Sequence, residues 1–171
     1  MSHSQAGSGG QFKADIPRQS QNLPGLEQHL TPVPESTRLE GPGEFHEYVG
    51  SGKLKDRAVL ITGGDSGIGR AVSALMAREG ADVTIVYLPA EQVDAEDTKK
   101  LVESVGRRCL LVPFDLQNYK QAGEVVEKHI REYGRLDTLV NNASTQMQCK
   151  DFAEINLGLF FHPIAHRRGT V

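Results

Sequence analysis

The chain has 171 residues and a formal net charge of −3, with 19 basic and 22 acidic side chains. This length suits one modest domain, and the composition shows neither a basic excess typical of nucleic-acid binding nor an apolar run long enough to span a membrane. The N-terminus lacks a signal-peptide pattern, and Cys109 and Cys149 are the only cysteines, so we expect a soluble cytoplasmic protein without disulfide bonds.

Residues 1–52 have the composition of a flexible arm. Gly and Pro recur through the segment, and neither a strand nor a helix period is sustained. Such a segment buries too little apolar surface to offset the entropy of ordering. We expect disorder over roughly the first twenty residues. The remainder is either disordered or lies over the domain or a neighbouring subunit, anchored by Leu30, Phe45 and Tyr48.

Apolar strands alternate with amphipathic helices over residues 53–157. The predicted strands are Ala58–Thr62, Val83–Tyr87, Cys109–Pro113 and Leu136–Val140. The predicted helices, ended by glycines, run roughly over Gly67–Glu79, Val93–Val105 and Asn118–Tyr133. This alternation indicates right-handed crossovers and a parallel sheet. The fold class is therefore α/β, a Rossmann-type doubly wound sheet limited to its first four strands and three helices, in spatial order 3-2-1-4.

The glycine-rich stretch after the first strand is the most informative part of the sequence. A strand, a glycine turn and a helix in this order bind the pyrophosphate of a dinucleotide. Gly63 and Gly64 permit a tight turn with unusual backbone angles. Gly67 lets backbone N–H groups approach a phosphate, and Gly69 lets the helix pack closely on the strand. The helix N-terminus adds unpaired donors and a partial positive charge.

Two other interpretations of this stretch are weaker. Spaced glycines alone also occur in ordinary loops, but here the strand, turn and helix follow in the required order. The spacing also suits a kinase-type phosphate loop, yet Arg70 and Ala71 stand where that loop needs Lys and Ser or Thr. Nothing in the stretch would hold magnesium, and we predict no metal site.

Three motifs together resemble those of the short-chain dehydrogenase/reductase family. They are Thr62-Gly63-x-x-x-Gly67-Ile68-Gly69, Asp115 after the third strand, and Asn141-Asn142-Ala143-Ser144 after the fourth, with Ser144 where the family has Gly. The stretches Gly64-Asp65-Ser66 and Tyr48-x-Gly50-Ser51-Gly52-Lys53-Leu54 are similar to the branch with a long N-terminal arm. The resemblance covers about residues 48–157.

The resemblance implies a binding site for a nicotinamide dinucleotide. Its residues are Thr62, Gly63, Asp65, Ser66, Gly67, Ile68, Gly69, Tyr87, Asp115, Leu116, Asn142, Ala143 and Ser144. In the family the acid at Asp115 contacts the adenine, although a helix N-cap or turn residue is the alternative. We expect the Thr62 hydroxyl to tie the turn to the fourth-strand loop, and the Asn141 and Asn142 side chains to hold adjacent backbone; a plain turn is the alternative.

Cofactor selectivity depends on the end of the second strand. An acid there would bind the ribose hydroxyls of NAD and repel the 2′-phosphate of NADP. The chain has Tyr87-Leu88-Pro89, with no acid and no directly following Arg, so the sequence leans only slightly to NADP over NAD. Arg70 is either a cation for that phosphate or a solvated helix residue. The acidic run from Glu91 to Asp97 is expected to be a solvated helix start.

Catalysis in this family needs a Tyr with Lys four residues later, a Ser and a further Asn. None of the four tyrosines has Lys at that position. We therefore predict no catalytic residue and no turnover by this chain alone. Residues 158–171 do not fit the expected interface helix, which Pro163 would break, and we attribute this atypical tail to a truncated or misread gene. Without later strands, Leu139 and Val140 would form an unpaired sheet edge.

Two functional hypotheses follow. The first is an NAD(P)-dependent oxidoreductase that transfers hydride between a nicotinamide and a carbonyl or alcohol, with this chain carrying the cofactor half. The second is a non-catalytic dinucleotide-binding or interaction fragment. The expected partners are a nicotinamide dinucleotide and, in a completed site, a small carbonyl or alcohol, with no nucleic acid or membrane. The resemblance implies homo-oligomers for complete members, which we do not expect of this chain.

Overall fold

The computed structural model describes residues 9–12, 17–21 and 25–144. Its strands are β1 (Arg38–Leu39), β2 (His46–Glu47), β3 (Ala58–Thr62), β4 (Asp82–Tyr87), β5 (Cys109–Pro113) and β6 (Thr138–Asn141). Its α-helices are α1 (Gly67–Arg78), α2 (Gln92–Glu103) and α3 (Gly123–Tyr133), and short 3-10 turns span Glu27–His29, Pro89–Glu91 and Tyr119–Gln121. None of the helices in these ranges has the length and apolar character needed to cross a bilayer.

The central sheet has four parallel strands in the order β5-β4-β3-β6. This confirms the predicted α/β class and the spatial order 3-2-1-4. Every residue of β3 and β4 is buried, as expected for central strands covered on both faces. The register pairs Thr62 with both Val86 and Asn141, and Tyr87 with Pro113, so the carboxyl ends of all four strands meet at one edge.

Side chains from the two faces of the sheet form two clusters. On one face, Val59, Ile61 and Val83 pack with residues of α1 and α2. On the other face, Leu60 and Val86 pack with Val125 of α3. The sheet is therefore covered by helices on both faces, with two helices on one side and one on the other within the described residues.

The third predicted helix differs from the structure in its start and in its buried face. A 3-10 turn, Tyr119–Gln121, precedes α3, which begins only at Gly123. Helical spacing would place Val126 and Ile130 on one apolar face with Val125 and His129, but they are 37 % and 41 % exposed. Within the described residues β6 pairs only with β3, and Leu139 is 48 % exposed. The predictions for residues 145–171 lie outside the described residues.

The described part of the arm lies against α1. β1 and β2 pair as a short antiparallel ribbon. The Tyr48 hydroxyl, a predicted anchor, donates to the Glu79 carboxylate just after α1. The Phe45 ring packs on Phe12 with centroids 4.8 Å apart. The boundaries of the arm and of the C-terminal segments stay predictions.

Candidate functional site: a cleft at the carboxyl ends of the strands

A cleft of about 590 Å³ opens where the parallel strands end. Its lining consists of Gly63, Asp65, Ser66, Ile68, Val86, Tyr87, Leu88, Glu91, Phe114, Asp115, Leu116, Gln117, Asn142, Ala143 and Ser144. Most of the predicted site residues are in this lining, although they come from four separate loops. The exceptions are Thr62, Gly67 and Gly69, which are next to lining residues in the glycine turn but are not part of the lining.

The floor of the cleft is a turn whose backbone conformation favours glycine. Gly63 has φ +61°, and its N–H donates to the Val86 carbonyl of the neighbouring strand at 2.7 Å. A Cβ on Gly69 would lie 1.8 Å from the Gly63 carbonyl oxygen, so any side chain there would push the helix off the strand. Gly64 has no positive φ, which corrects the prediction of an unusual angle. Its role is steric, since a Cβ there would lie 3.0 Å from Ile85.

The first turn of α1 faces the cleft through Ser66 and Ile68. Ser66 is the N-cap, and its side chain makes no capping hydrogen bond to the helix. Gly67 follows with φ +52°, and its N–H donates to the Glu27 carboxylate of the arm. The N–H of Gly67 is thus bound within the chain, and the prediction that this glycine lets backbone N–H groups approach a phosphate stays a prediction. Ile68 is 77 % exposed beside the cleft, an unusual position for a large apolar side chain.

Thr62 and Asn142 join the glycine turn to the loop after β6. The Thr62 hydroxyl accepts the N–H groups of Asn142 and Ala143, both at 3.0 Å, and donates to the Val140 carbonyl at 3.3 Å. The Asn142 amide donates to the carbonyls of Thr62 at 3.1 Å and Gly63 at 2.8 Å. These bonds match the predicted roles of Thr62 and Asn142. They hold two walls of the cleft in fixed register.

Acidic side chains line the wall between β4 and the glycine turn. Asp65 is 2 % exposed, and burial raises the pKa of its carboxyl. Burial and then the Asp65 charge raise the pKa of Glu91. Asp115 lies on the opposite wall, where its Oδ1 accepts the Gln117 N–H at 2.9 Å. Asp115 thus forms the turn that we considered as an alternative and also lines the cleft beside Leu116.

Arg70 matches neither role that the sequence suggested. Its side chain is 11 % exposed and lies between Glu27 and Asp94, with nitrogen–oxygen distances of 2.7 Å and 3.3 Å. It is therefore not a solvated residue, and its guanidinium is occupied by two carboxylates behind the cleft wall. Asp94 is 1 % exposed, so the prediction of a solvated acidic helix start is wrong at this position.

Glu27 and Glu91 are not among the site residues predicted from the sequence. Glu91 belongs to the acidic run and follows Pro89 by two residues, where its carboxylate accepts the Leu88 N–H at 3.3 Å. A Pro and a Glu at the start of a predicted helix are a capping signal that could have placed it beside the strand end. Glu27 carries no such signal, because its side chain contacts residues about forty positions away.

The fold, the glycine turn and the cleft define a Rossmann-type dinucleotide-binding domain. A model of the short chain dehydrogenase family matches residues 57–163. The chain belongs to the short-chain dehydrogenase/reductase family of oxidoreductases, and the resemblance seen in the sequence is confirmed.

Curated relatives support this membership. The chain is 44% identical over 155 residues to "Uncharacterized oxidoreductase YghA" of Escherichia coli (strain K12), covering 91% of this chain and 50% of the relative. It is 47% identical over 136 residues to "General stress protein 39" of Bacillus subtilis (strain 168), covering 79% and 45%. It is 36% identical over 136 residues to "NADPH-dependent aldehyde reductase 1, chloroplastic" of Arabidopsis thaliana, covering 75% and 47%. The chain thus spans about half the length of these relatives.

Solved structures agree with the sequence relatives. Acetoin dehydrogenase from Enterobacter cloacae superposes with TM-score 0.56 at 32% identity, over 61% of this chain and 41% of that one. A short chain dehydrogenase from Mycobacterium paratuberculosis bound to NAD superposes with TM-score 0.51 at 34% identity, over 55% and 39%. The family binds nicotinamide dinucleotides.

Proposed function

We propose that this chain forms the cofactor-binding half of an NAD(P)-dependent oxidoreductase. The observation that carries the proposal is the cleft at the carboxyl ends of four parallel strands, beside a turn where Gly69 leaves no room for a Cβ. A pyrophosphate needs close approach of backbone, and the N–H groups in the first turn of α1 that Glu27 does not bind would supply the complementary charge. When bound, the nicotinamide would supply the hydride chemistry.

Each wall of the cleft suits one part of the dinucleotide. Ser66 and Ile68, at the start of α1, would lie along the pyrophosphate, with Thr62, Gly63, Gly67 and Gly69 supporting the turn. Asp65 and Tyr87 would lie beside the adenosine ribose, and Asp115 and Leu116 beside the adenine. Asn142, Ala143 and Ser144 would border the remaining part, toward the nicotinamide.

We propose that this chain by itself binds the dinucleotide without turnover. None of its four tyrosines has Lys four residues later, so no tyrosine is placed to exchange a substrate proton in the manner of this family. A small carbonyl or alcohol would react only where such a pair completes the site. This observation also favours the second candidate function, a non-catalytic dinucleotide-binding or interaction fragment. A cytoplasmic location stays part of the proposal.

The residues around Leu88 give arguments both for and against NADP as the preferred cofactor. Leu88 provides no acid to repel a 2′-phosphate, and one relative is named NADPH-dependent. Against NADP, the carboxylates of Asp65 and Glu91 line the cleft near Leu88, and Arg70 is occupied elsewhere. We propose that the slight lean to NADP persists but that the two affinities differ by less than about tenfold. A difference above about a hundredfold in either direction would contradict this.

Substitution of Leu88 tests the assignment of the ribose end. Leu88→Asp should favour NADH over NADPH by at least about tenfold, because a carboxylate binds the ribose hydroxyls and repels the phosphate. Leu88→Arg should shift the ratio the other way. Leu88→Asn is the matched control that keeps the size of Asp without its charge. Equal ratios in all variants would place the adenosine ribose elsewhere.

Titration of the purified 171-residue chain with NADH and NADPH tests the proposal itself. Nicotinamide fluorescence and thermal stability, followed together, should show a saturable change and a rise in Tm. A carbonyl-reduction assay on the same sample should show no turnover. A folded chain that binds neither dinucleotide would overturn the proposed cofactor site, and robust NADPH-dependent carbonyl reduction would overturn the proposal of binding without turnover.

A further inference from the structure

The arm brings one buried carboxylate to the N-terminus of α1. Glu27 lies in the 3-10 turn Glu27–His29 and is only 4 % exposed. Its Oε2 accepts the Gly67 N–H at the first residue of the helix, and its Oε1 accepts Arg70 Nη1 at 2.7 Å. A carboxylate here is favoured because it satisfies an N–H that has no intrahelical partner and complements the helix dipole.

Arg70 transmits this contact to the loop that borders the cleft. Its Nε donates to the Asp65 carbonyl at 3.0 Å, and the Thr98 hydroxyl donates to the same oxygen at 2.6 Å. Arg70 Nη2 binds Asp94, whose Oδ2 in turn accepts the Glu27 N–H at 2.8 Å. The arm, α1 and α2 therefore share one buried hydrogen-bonded cluster.

The cluster contacts the loop from Asp65 to Gly67 on the side away from the cleft. Asp65 and Ser66 line the cleft, whereas Glu27, Arg70 and Thr98 are not part of its lining. The cluster thus holds the Asp65 carbonyl and the Gly67 N–H, while Asp65 and Ser66 also line the ligand space. A loop held in this way needs no reordering when a ligand arrives, and such preorganisation increases affinity.

We propose that Glu27 is a positioning residue for the dinucleotide site, and that the arm is a functional part of that site. The inference rests on the proposed function, because it assigns a role within the same cleft. Glu27 does not touch the ligand. It acts through Gly67 and Arg70, which set the conformation of the loop from Asp65 to Gly67.

The same helix offers a matched control at its other end. Glu79, just after α1, also joins the helix to the arm, through the N–H groups of Ser51 at 3.0 Å and Lys53 at 2.9 Å. Its contacts are remote from the cleft lining. Glu27→Gln and Glu79→Gln therefore remove one charge each from comparable arm–helix contacts, and only the first is expected to affect the ligand site.

The test is titration of the full chain and of both variants with NADH and NADPH, at a temperature where circular dichroism shows all three to be folded. Glu27→Gln should weaken binding of both dinucleotides by about tenfold or more, while Glu79→Gln leaves the affinity within about twofold of wild type. Amide hydrogen exchange should show faster exchange at Gly67 in Glu27→Gln only. Should Glu27→Gln not fold, Thr98→Val, which removes one bond to the Asp65 carbonyl at similar volume, should still weaken binding several-fold.

The outcomes separate the two proposals. Unchanged affinity in folded Glu27→Gln, or in Thr98→Val if the first variant does not fold, would overturn the positioning role and make the arm a structural brace only. An equal loss of affinity in Glu79→Gln would overturn it too, since the effect would follow general destabilisation. Absence of binding by folded wild-type chain would overturn the proposed function and, with it, this inference.

Discussion

The two ends of α1 make opposite kinds of contact with the arm. At the N-terminus the arm supplies the carboxylate, Glu27, and the helix supplies the N–H donor of Gly67. At the C-terminus the helix side supplies the carboxylate, Glu79, and the arm supplies backbone N–H donors and the Tyr48 hydroxyl. Both contacts bury polar groups in pairs, but only the first lies directly behind the cleft. Under the proposed role of Glu27, similar chemistry supports the ligand site at one end of α1 and stability alone at the other.

The largest expected effect comes from a pair of glycine substitutions, one in the first turn of α1 and one in the arm where it packs on the last residue of α1. A Cβ on Gly69 would lie 1.8 Å from the Gly63 carbonyl oxygen, and a Cβ on Gly50 would lie 1.9 Å from the Arg78 carbonyl oxygen. Gly69→Ala and Gly50→Ala should each destabilise the fold by ~1–3 kcal/mol in urea unfolding, because both overpack against backbone. Only Gly69→Ala should also abolish NADH binding in the titration.

Gly123→Ala is the control for this pair. Gly123 opens α3, and a Cβ there would meet no atom within 4 Å. This substitution should leave binding unchanged and should not destabilise the fold, since alanine lowers the entropy of the unfolded chain. Loss of NADH binding in folded Gly50→Ala would break the distinction between the two ends.

An intermediate effect is expected from the carboxylate of Glu79, at the C-terminal end of α1. The Tyr48 hydroxyl and then the backbone N–H of Lys53 lower the pKa of Glu79 from 4.5 to about 2. Because the folded pKa is depressed, this stabilisation is present above about pH 4.5 and is lost as the pH falls toward 2. Glu79→Gln should lower Tm by several degrees at pH 6.

The acid profile supplies the check on Glu79. Thermal unfolding of wild type and Glu79→Gln should converge as the pH falls from 4.5 through about 2, because the Glu79 carboxyl of the folded chain becomes protonated over this range. A difference in Tm that stays constant from pH 6 to pH 2 would mean that the charge of Glu79 does not contribute.

The last expected effect is a dependence of stability on the protonation of His129, which is remote from both ends of α1. Its side chain is fully buried, with Nδ1 2.7 Å from the Thr84 hydroxyl, and burial lowers its pKa below 6.5. The native state then binds fewer protons than the unfolded state, so stability declines as the pH falls below 6.5, by at most about 1.4 kcal/mol per pH unit. Urea unfolding between about pH 7.5 and about pH 5 measures this slope of the unfolding free energy against pH.

The substitution His129→Phe tests whether His129 causes this pH dependence. The substitution leaves the Thr84 hydroxyl without its partner and should cost ~1–3 kcal/mol at neutral pH, but it should flatten the slope near pH 6. Glu79→Gln should retain that slope, which separates the two acid transitions. A wild-type stability that does not change between pH 7 and 5 would contradict the lowered pKa of His129.

The sequence by itself determined the strand order, the glycine turn and the family. These features are local: a buried strand is a run of apolar residues, a helix is a period of apolar residues, and a dinucleotide turn is a fixed spacing of glycines. The boundaries of β3 and β5 match their predictions for this reason. Thr62 and Asn142 were placed by motifs that lie at strand ends, where parallel order brings them together.

Only the tertiary structure decided which charged residues are buried. Arg70 and Asp94 lie in stretches whose local pattern is that of solvated helices, and Glu27 lies in a segment with no period at all. They are buried together because Glu27 meets Arg70 at a separation of 43 residues and Asp94 at 67. A charged side chain can leave water only when its partners are in place. Those partners come from distant segments, so no local pattern predicts them.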